Sequence, residues 1–225
     1  MVNPKKNVCL PKPLNITINN QLTTINKMET TKPDLKILKI LLKEIALRPT
    51  ITFLAKEIGM SRVGTWKILK KLETEKLVIL SPIGEGKTSA FSISLNWENP
   101  IVEKTLSLAL TQDAMKNQRW LSNFAELEDK VDFLLIYGSI IHSPKEANDI
   151  DILGITGKGF LEIEESIKKM QKTQIKKIHS INFTHLEFKK ELKNQNKAFI
   201  DAIRKGIILF GQEKFIKFIK EMAGK

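Results

Sequence analysis

The residues best suited to chemistry lie between positions 137 and 155, which read YGSIIHSPKEANDIDILGI. The pair Gly138-Ser139 ends one apolar run, and Asp149 and Asp151 stand either side of a single isoleucine where the next run begins. A carboxylate within an apolar run is costly unless a cationic group meets it. Two carboxylates at alternate positions therefore indicate a bound partner of positive charge.

The Gly-Ser pair has the properties of a phosphate-binding turn. The preceding residues 131–137, VDFLLIY, form the short apolar run that is typical of a buried strand. Gly138 permits a tight turn and a close approach of the backbone. If a helix begins at Ser139, its first amides and the serine hydroxyl can donate to a phosphate group, because helix N-termini attract anions. We therefore predict that Gly138 and Ser139 bind a nucleotide.

The two aspartates have the properties of a metal site. Side chains at positions i and i+2 of a strand share a face, so Asp149 and Asp151 should point together. Two neighbouring carboxylates repel, and one takes up a proton unless a divalent ion joins them. Mg²⁺ prefers oxygen ligands and commonly shares its coordination shell with substrate phosphates. We predict that Asp149 and Asp151 are metal ligands and catalytic residues, with Mg²⁺ as cofactor.

Together these residues resemble the GS…DxD signature of the DNA polymerase β-like nucleotidyltransferase superfamily, in particular its minimal members. The resemblance covers about residues 131–210 and implies transfer of a nucleoside monophosphate from a nucleoside triphosphate to an acceptor. It also implies a third carboxylate on a later strand, to complete a two-metal site. That position aligns with Asn182, whose amide cannot act as a base. Glu187 is a substitute only if the strand is placed differently.

The N-terminal half has a different pattern, with three amphipathic segments followed by two alternating segments around the turn GEGK. The pattern predicts three helices and a β-hairpin. In the first helix, the residues expected to face inward are Leu35, Leu38, Leu42, Ile45 and Ala46, with Pro49 closing the helix. In the third helix, Ser61 is a predicted N-cap, and the residues expected inward are Val63, Trp66, Leu69 and Leu72.

This order resembles the winged helix-turn-helix domains of small prokaryotic transcription regulators, above all in LAKEIGMSRVGTWKILKKLETEKLVI. The resemblance implies that the third helix enters the major groove of double-stranded DNA and that the wing meets the backbone. It also implies a homodimer as one arrangement. The residues predicted to contact DNA are Ser61, Arg62, Thr65, Lys67, Lys70, Lys71 and Lys87.

The composition agrees with a polyanionic partner. Lys and Arg number 37 against 25 Asp and Glu, a net charge of +12, and such a field favours nucleic acid or phosphorylated molecules; a Lys-rich composition without function is the alternative. The single Cys9 excludes an internal disulfide, and the three histidines lack the spacing of a structural zinc site. No apolar run has transmembrane length and no signal peptide is visible, so we expect a cytoplasmic protein with no membrane partner.

The predicted fold class is α+β. We expect a flexible basic arm over 1–32, a winged helix-turn-helix domain over 33–98, a helical linker over 99–124 and a small mixed-sheet nucleotidyltransferase-like domain over 125–225. Two functions remain open. The chain is either a DNA-binding nucleotidyltransferase or a transcriptional regulator whose degenerate second domain only senses nucleotide or binds a protein partner, as an antitoxin does.

Overall fold

A computed structural model describes residues 33–84 and 90–224. The predicted arm over 1–32 and the predicted DNA contact Lys87 lie outside these ranges. The described residues form a mixed α+β structure with two small sheets, in agreement with the predicted class. The helices are α1 Pro33–Lys43, α2 Ile51–Ile58, α3 Arg62–Thr74, α4 Pro100–Met115, α5 Gln118–Asn123, α6 Ser139–His142, α7 Leu161–Gln171, α8 His185–Lys193, α9 Lys197–Lys205 and α10 Gln212–Ala223. The strands are β1 Val78–Ile83, β2 Ala90–Leu95, β3 Phe133–Tyr137, β4 Asp149–Ile155, β5 Lys177–Phe183 and β6 Ile207–Phe210.

Helices α1 to α3 and the antiparallel hairpin of β1 and β2 form the N-terminal unit. Local capping explains where two of the helices begin. The Thr50 hydroxyl accepts from the amide of Phe53, and the Ser61 hydroxyl accepts from the amide of Gly64 at 3.1 Å. The N-cap predicted at Ser61 is therefore confirmed, as are the three helices and the hairpin.

Two details of the N-terminal unit differ from the predictions. Helix α1 ends at Lys43, well before Pro49, and Ala46 is exposed. In the third helix, Val63 is 67% exposed. Thr65 takes the inward place instead, and its hydroxyl donates to the carbonyl of Ser61 at 3.0 Å. The periodicity of apolar residues predicts Val63 on the inward face. Thr65 can be buried there at little cost because its hydroxyl donates a hydrogen bond within the helix.

The second sheet has the order β5-β4-β3-β6, in which only β5 and β4 are parallel. Strand β3 is covered on both faces, which is why it reads as a continuous apolar run. One face contributes Phe133 and Leu135 to a core with α4, α8, α9 and α10, and the other contributes Leu134 and Ile136 to a core with α5 and α7.

The first of these cores continues into the N-terminal unit. Leu42 of α1, Leu69 of α3, Leu106 of α4 and Phe133 of β3 belong to one cluster of buried side chains. Apolar faces of α4 and α10 are buried in the same cluster. Among the described residues, no helix combines the length and the apolar character needed to cross a membrane.

Candidate metal and nucleotide site

The pairing of β3 with β4 brings the Gly-Ser turn next to the aspartates. Tyr137, the last residue of β3, lies opposite Asp151, so Gly138 follows at the same end of the sheet. Gly138 has φ = 82°, and a Cβ atom there would collide with Oδ2 of Asp151. Only glycine meets both conditions without strain. The turn and Asp151 are therefore packed as one unit.

Asp149 and Asp151 point to the same side of β4, and His179 of β5 joins them. Nδ1 of His179 lies 3.2 Å from Oδ2 of Asp149 and 3.6 Å from Oδ1 of Asp151. One ligand atom from each of the three residues falls within 4.8 Å of the others. Carboxylate oxygens and an imidazole nitrogen are common metal donors. These three residues form a group that could hold a metal ion.

The electrostatics of this group also favour a cation. Partial burial raises the pKa of the Asp151 carboxyl, the charge of Asp149 raises it further, and His179 opposes both effects. Burial and the same two aspartates raise the pKa of the neighbouring Tyr137 hydroxyl. Two like charges thus lie together on one face of β4, and a bound cation would relieve their repulsion.

Asn182 does not lie with the aspartates. In the parallel pairing of β4 with β5, Asp151 lies beside His179 and Gly154 beside Asn182. A Cβ atom on Gly154 would come within 2.6 Å of Oδ1 of Asn182. Since Asn182 is three residues from His179, it points to the opposite face of the sheet. The alignment of Asn182 with the third carboxylate is therefore wrong, and His179 is the cross-strand neighbour of the pair.

Glu187 is not a substitute for that carboxylate either. It belongs to the first turn of α8, where it forms a capping box with Thr184. Its Oε2 accepts from the amide of Thr184 at 2.8 Å, and this hydrogen bond, followed by that of the Thr184 hydroxyl, lowers the pKa of the Glu187 carboxyl. Its acceptor capacity is used to begin a helix.

His179 was missed because its spacing along the chain carries no signal. Metal-ligand spacings within one segment do not include His179, because it meets the aspartates across two parallel strands. The useful signal is its place on the later strand that carries Asn182. That place identifies a ligand only when the register of β5 against β4 is known.

A helix does begin at Ser139, but α6 has only four residues. A single turn has a small dipole, so it adds little to anion binding. Any phosphate contact here would depend on local amides and on the Ser139 hydroxyl.

The predicted DNA contacts on α3 have different surroundings. Thr65 is fully buried and is not available to DNA, which corrects that prediction. Lys71 pairs with Asp34 at 2.7 Å, and Lys70 pairs with Glu73 at 2.8 Å. Arg62 and Lys67 are exposed and form no ion pair within the described part of the chain.

Searches with protein-family models, among curated proteins and among solved structures give no match to this chain. Function is therefore inferred from the geometry of these residues and from the two resemblances in the sequence.

Proposed function

We propose that this chain is a DNA-binding protein with a nucleotidyltransferase-type site. It transfers a nucleoside monophosphate from a nucleoside triphosphate to an acceptor in a Mg²⁺-dependent reaction. The observation that carries the proposal is the convergence of Asp149, Asp151 and His179 beside Gly138. Two carboxylates that repel each other next to a glycine turn are suited to an ion that joins the protein to phosphate oxygens.

Each residue of the site has a separate role in the proposed transfer. Asp149 and Asp151 would hold the ion, which when bound neutralises charge on the phosphates. Gly138 and Ser139 would position the β- and γ-phosphates. An acceptor hydroxyl attacks the α-phosphorus, the bond to the oxygen bridging to the β-phosphate breaks, and pyrophosphate leaves, while the hydroxyl proton passes to water. Positioning and charge neutralisation supply the rate enhancement.

The donor set fits Mg²⁺ through its carboxylate oxygens, and His179 extends the range of ions. Mg²⁺ favours oxygen ligands, whereas imidazole is a common ligand of transition metals. With Nδ1 of His179 3.2 Å from Asp149, Mn²⁺ is expected to replace Mg²⁺. Both ions should therefore be included in any assay of the protein.

A second candidate function is nucleotide sensing without transfer, in a regulator that also binds a partner as an antitoxin does. The observation that favours it is the imidazole of His179 beside the aspartates, where the superfamily resemblance implies a third carboxylate. Two metal ions are normally held by shared carboxylates, and an imidazole cannot bridge them. Formation of a product separates this candidate from transfer.

DNA binding is proposed for the N-terminal unit, whose three helices and hairpin follow the order of a winged helix-turn-helix. Arg62 and Lys67 on α3 are exposed cations, and the chain carries a net charge of +12. Such a surface complements the phosphate backbone of DNA. A DNA-binding protein with a nucleotide site is expected in the cytoplasm.

The nucleotide site is tested by equilibrium binding of each labelled nucleoside triphosphate with Mg²⁺ or Mn²⁺. Asp149→Ala should weaken binding sharply, and Asp201→Ala, which removes an exposed aspartate on α9, should not. Equal binding by wild type and Asp149→Ala would remove the metal-site proposal. In the same samples, a metal-dependent product and released pyrophosphate would establish transfer, and binding without product would establish sensing.

The DNA proposal is tested by gel retention of duplex DNA over a range of salt concentrations. Retention should weaken when Arg62 and Lys67 become alanine, and it should fall with salt because phosphate contacts release counterions. Lys168→Ala and Lys169→Ala on α7 form the matched control, since they remove the same number of charges elsewhere. If no DNA is retained even at low salt, the N-terminal unit has another role.

A further inference from the structure

The exposed face of α3 carries an apolar side chain that contributes nothing to the core. Val63 lies in the first turn of the helix and is 67% exposed. Thr65 and Leu69 are buried on the inner side of α3, and their burial turns Val63 outward. A β-branched residue is a weaker helix former than alanine. The stability of α3 therefore gives no reason for valine at this position.

Val63 has cations on one side and the half-buried Trp66 on the other, since Arg62, Val63 and Trp66 line one surface pocket. Lys67 and Lys70 follow it at spacings of four and seven residues, so the three side chains lie on one side of the helix. Arg62 precedes it and is also exposed. Val63 is thus an apolar contact point within a basic stripe, at the end of the helix that meets base edges when such a helix enters the major groove.

The ligand of such a stripe needs both negative charge and an apolar group. Double-stranded DNA has both, because the phosphates line the groove and each thymine presents its C5-methyl group on the groove floor. The other base edges in the major groove offer hydrogen-bond donors and acceptors, which an aliphatic side chain cannot use.

We infer that Val63 contacts a thymine methyl group and thereby selects thymine at one position of the DNA site. This inference depends on the DNA-binding function proposed above and adds the base that the helix prefers. Arg62 and Lys67 hold α3 against the backbone, and Val63 supplies a contact that depends on the sequence.

The test begins with selection of binding sites for the full chain from random duplex DNA. Each thymine of the selected site is then replaced by deoxyuridine, which removes only the methyl group. At one position the wild-type affinity should fall about threefold to fivefold, the value of one buried methyl group. Val63→Ala should bind the thymine site that much more weakly and should not respond to the replacement.

Two control variants sharpen the result. Val63→Ile keeps a branched aliphatic group and should retain the response to deoxyuridine. Leu161→Ala removes an apolar side chain that is 69% exposed on α7 and should behave as wild type. Because Val63 is largely exposed, its replacement should leave the thermal unfolding midpoint nearly unchanged.

The possible failures are distinguishable. If the wild type tolerates deoxyuridine at every position, the inference is wrong and DNA binding stands. If Val63→Ala responds to deoxyuridine as strongly as the wild type, another residue reads the methyl group, and the inference is again wrong. If selection enriches no sequence and no DNA is retained at low salt, the DNA-binding proposal fails and the inference fails with it.

Discussion

The two ends of the β3–β4 strand pair each carry aspartates, and the surroundings of those aspartates are opposite. At one end, Asp132 precedes β3 and accepts from Nε2 of His185 at 2.9 Å, from the amide of Gly157 at 2.8 Å and from Nζ of Lys214 at 2.9 Å. About 16 Å away along the strands, Asp149 and Asp151 lie side by side with one imidazole near them.

The pKa values of Asp132 and Asp151 are shifted in opposite directions. Partial burial alone would raise the pKa of Asp132, but the hydrogen bonds from Lys214, His185 and Gly157 outweigh it and lower the pKa to about 2. For Asp151, burial and the charge of Asp149 dominate, and the pKa is raised. The first carboxylate thus has hydrogen-bond donors from three other segments, whereas the second lies beside a like charge, as is common at functional sites.

The largest expected effect comes from removing charge at each end. With Asp149 and Asp151 both changed to Asn, metal-dependent nucleotide binding should fall about 100-fold or more, since even indirect partners of metal ligands contribute 10–100-fold. Asp132→Asn should bind nucleotide as the wild type does. Titration calorimetry with Mn²⁺ and a nucleoside triphosphate measures both. A similar loss in both variants would mean that the two ends act together.

The next effect is on stability. Asp132→Asn should lower the free energy of unfolding by about 1–3 kcal/mol at neutral pH, because it removes a charged acceptor of three hydrogen bonds. A lowered folded-state pKa stabilises above the unfolded value and loses its contribution as the pH falls through about 2. Urea unfolding should therefore show the gap between wild type and variant closing as the pH falls below about 4.

The exposed Asp129 provides the control for that experiment. Asp129→Asn removes a nearby carboxylate of the same type, and its unfolding curve should match that of the wild type at neutral pH. If the two variants lose equal stability, the hydrogen bonds of Asp132 do not explain its contribution.

Replacing His179 should affect metal binding, and replacing His185 should affect stability. Both effects should be smaller than those of the aspartate variants. His179→Ala should weaken Mn²⁺ binding about fivefold, roughly the loss of 1 kcal/mol, and change stability little. His185→Ala should leave Mn²⁺ binding unchanged and destabilise the protein, because His185 bonds Asp132 and packs edge-on against Phe133. The two properties are measured by metal titration and thermal unfolding. The reverse assignment would contradict the comparison.

The smallest expected effect is that of the Asp151 charge on the free energy of unfolding, with and without a bound metal ion. A raised folded-state pKa stabilises only below the unfolded value, and that stabilisation is lost as the pH rises through the folded value. At neutral pH the charge of Asp151 is therefore a cost. Asp151→Asn should be as stable as the metal-free wild type or more so, by less than about 1 kcal/mol. Added Mg²⁺ and nucleotide should reverse the order, since only the wild type gains binding energy.

Much of the architecture could be predicted because local signals agreed with one another. Ser61 caps α3, and the alternating segments form β1 and β2. One prediction failed because a distant contact decided the outcome. Helix α1 ends at Lys43, and the next residue, Glu44, is buried against Arg204 of α9 at 2.9 Å. The residue pattern of α1 gives no information about Arg204, which is 160 residues away in the sequence.

In the candidate site, the features set by local sequence were predictable, and those set by strand pairing were not. Asp149 and Asp151 were predictable because alternate residues of one strand share a face, whatever the rest of the fold does. The tight turn at Gly138 was predictable because this glycine directly follows an apolar strand. His179 and Asn182 were not, because their sides are set by the register of β5 against β4, and a shift of one residue exchanges the two faces.

The sequence by itself determined the order of helices and strands, the basic charge and the pairing of two aspartates on one strand, since these follow from spacing and residue type. The tertiary structure decided which end of the sheet carries satisfied carboxylates and which carries repelling ones. It also decided that an imidazole, and not the amide of Asn182, is their neighbour. The reason is that hydrogen bonds and charge pairs between distant segments exist only once strand register and helix packing are fixed.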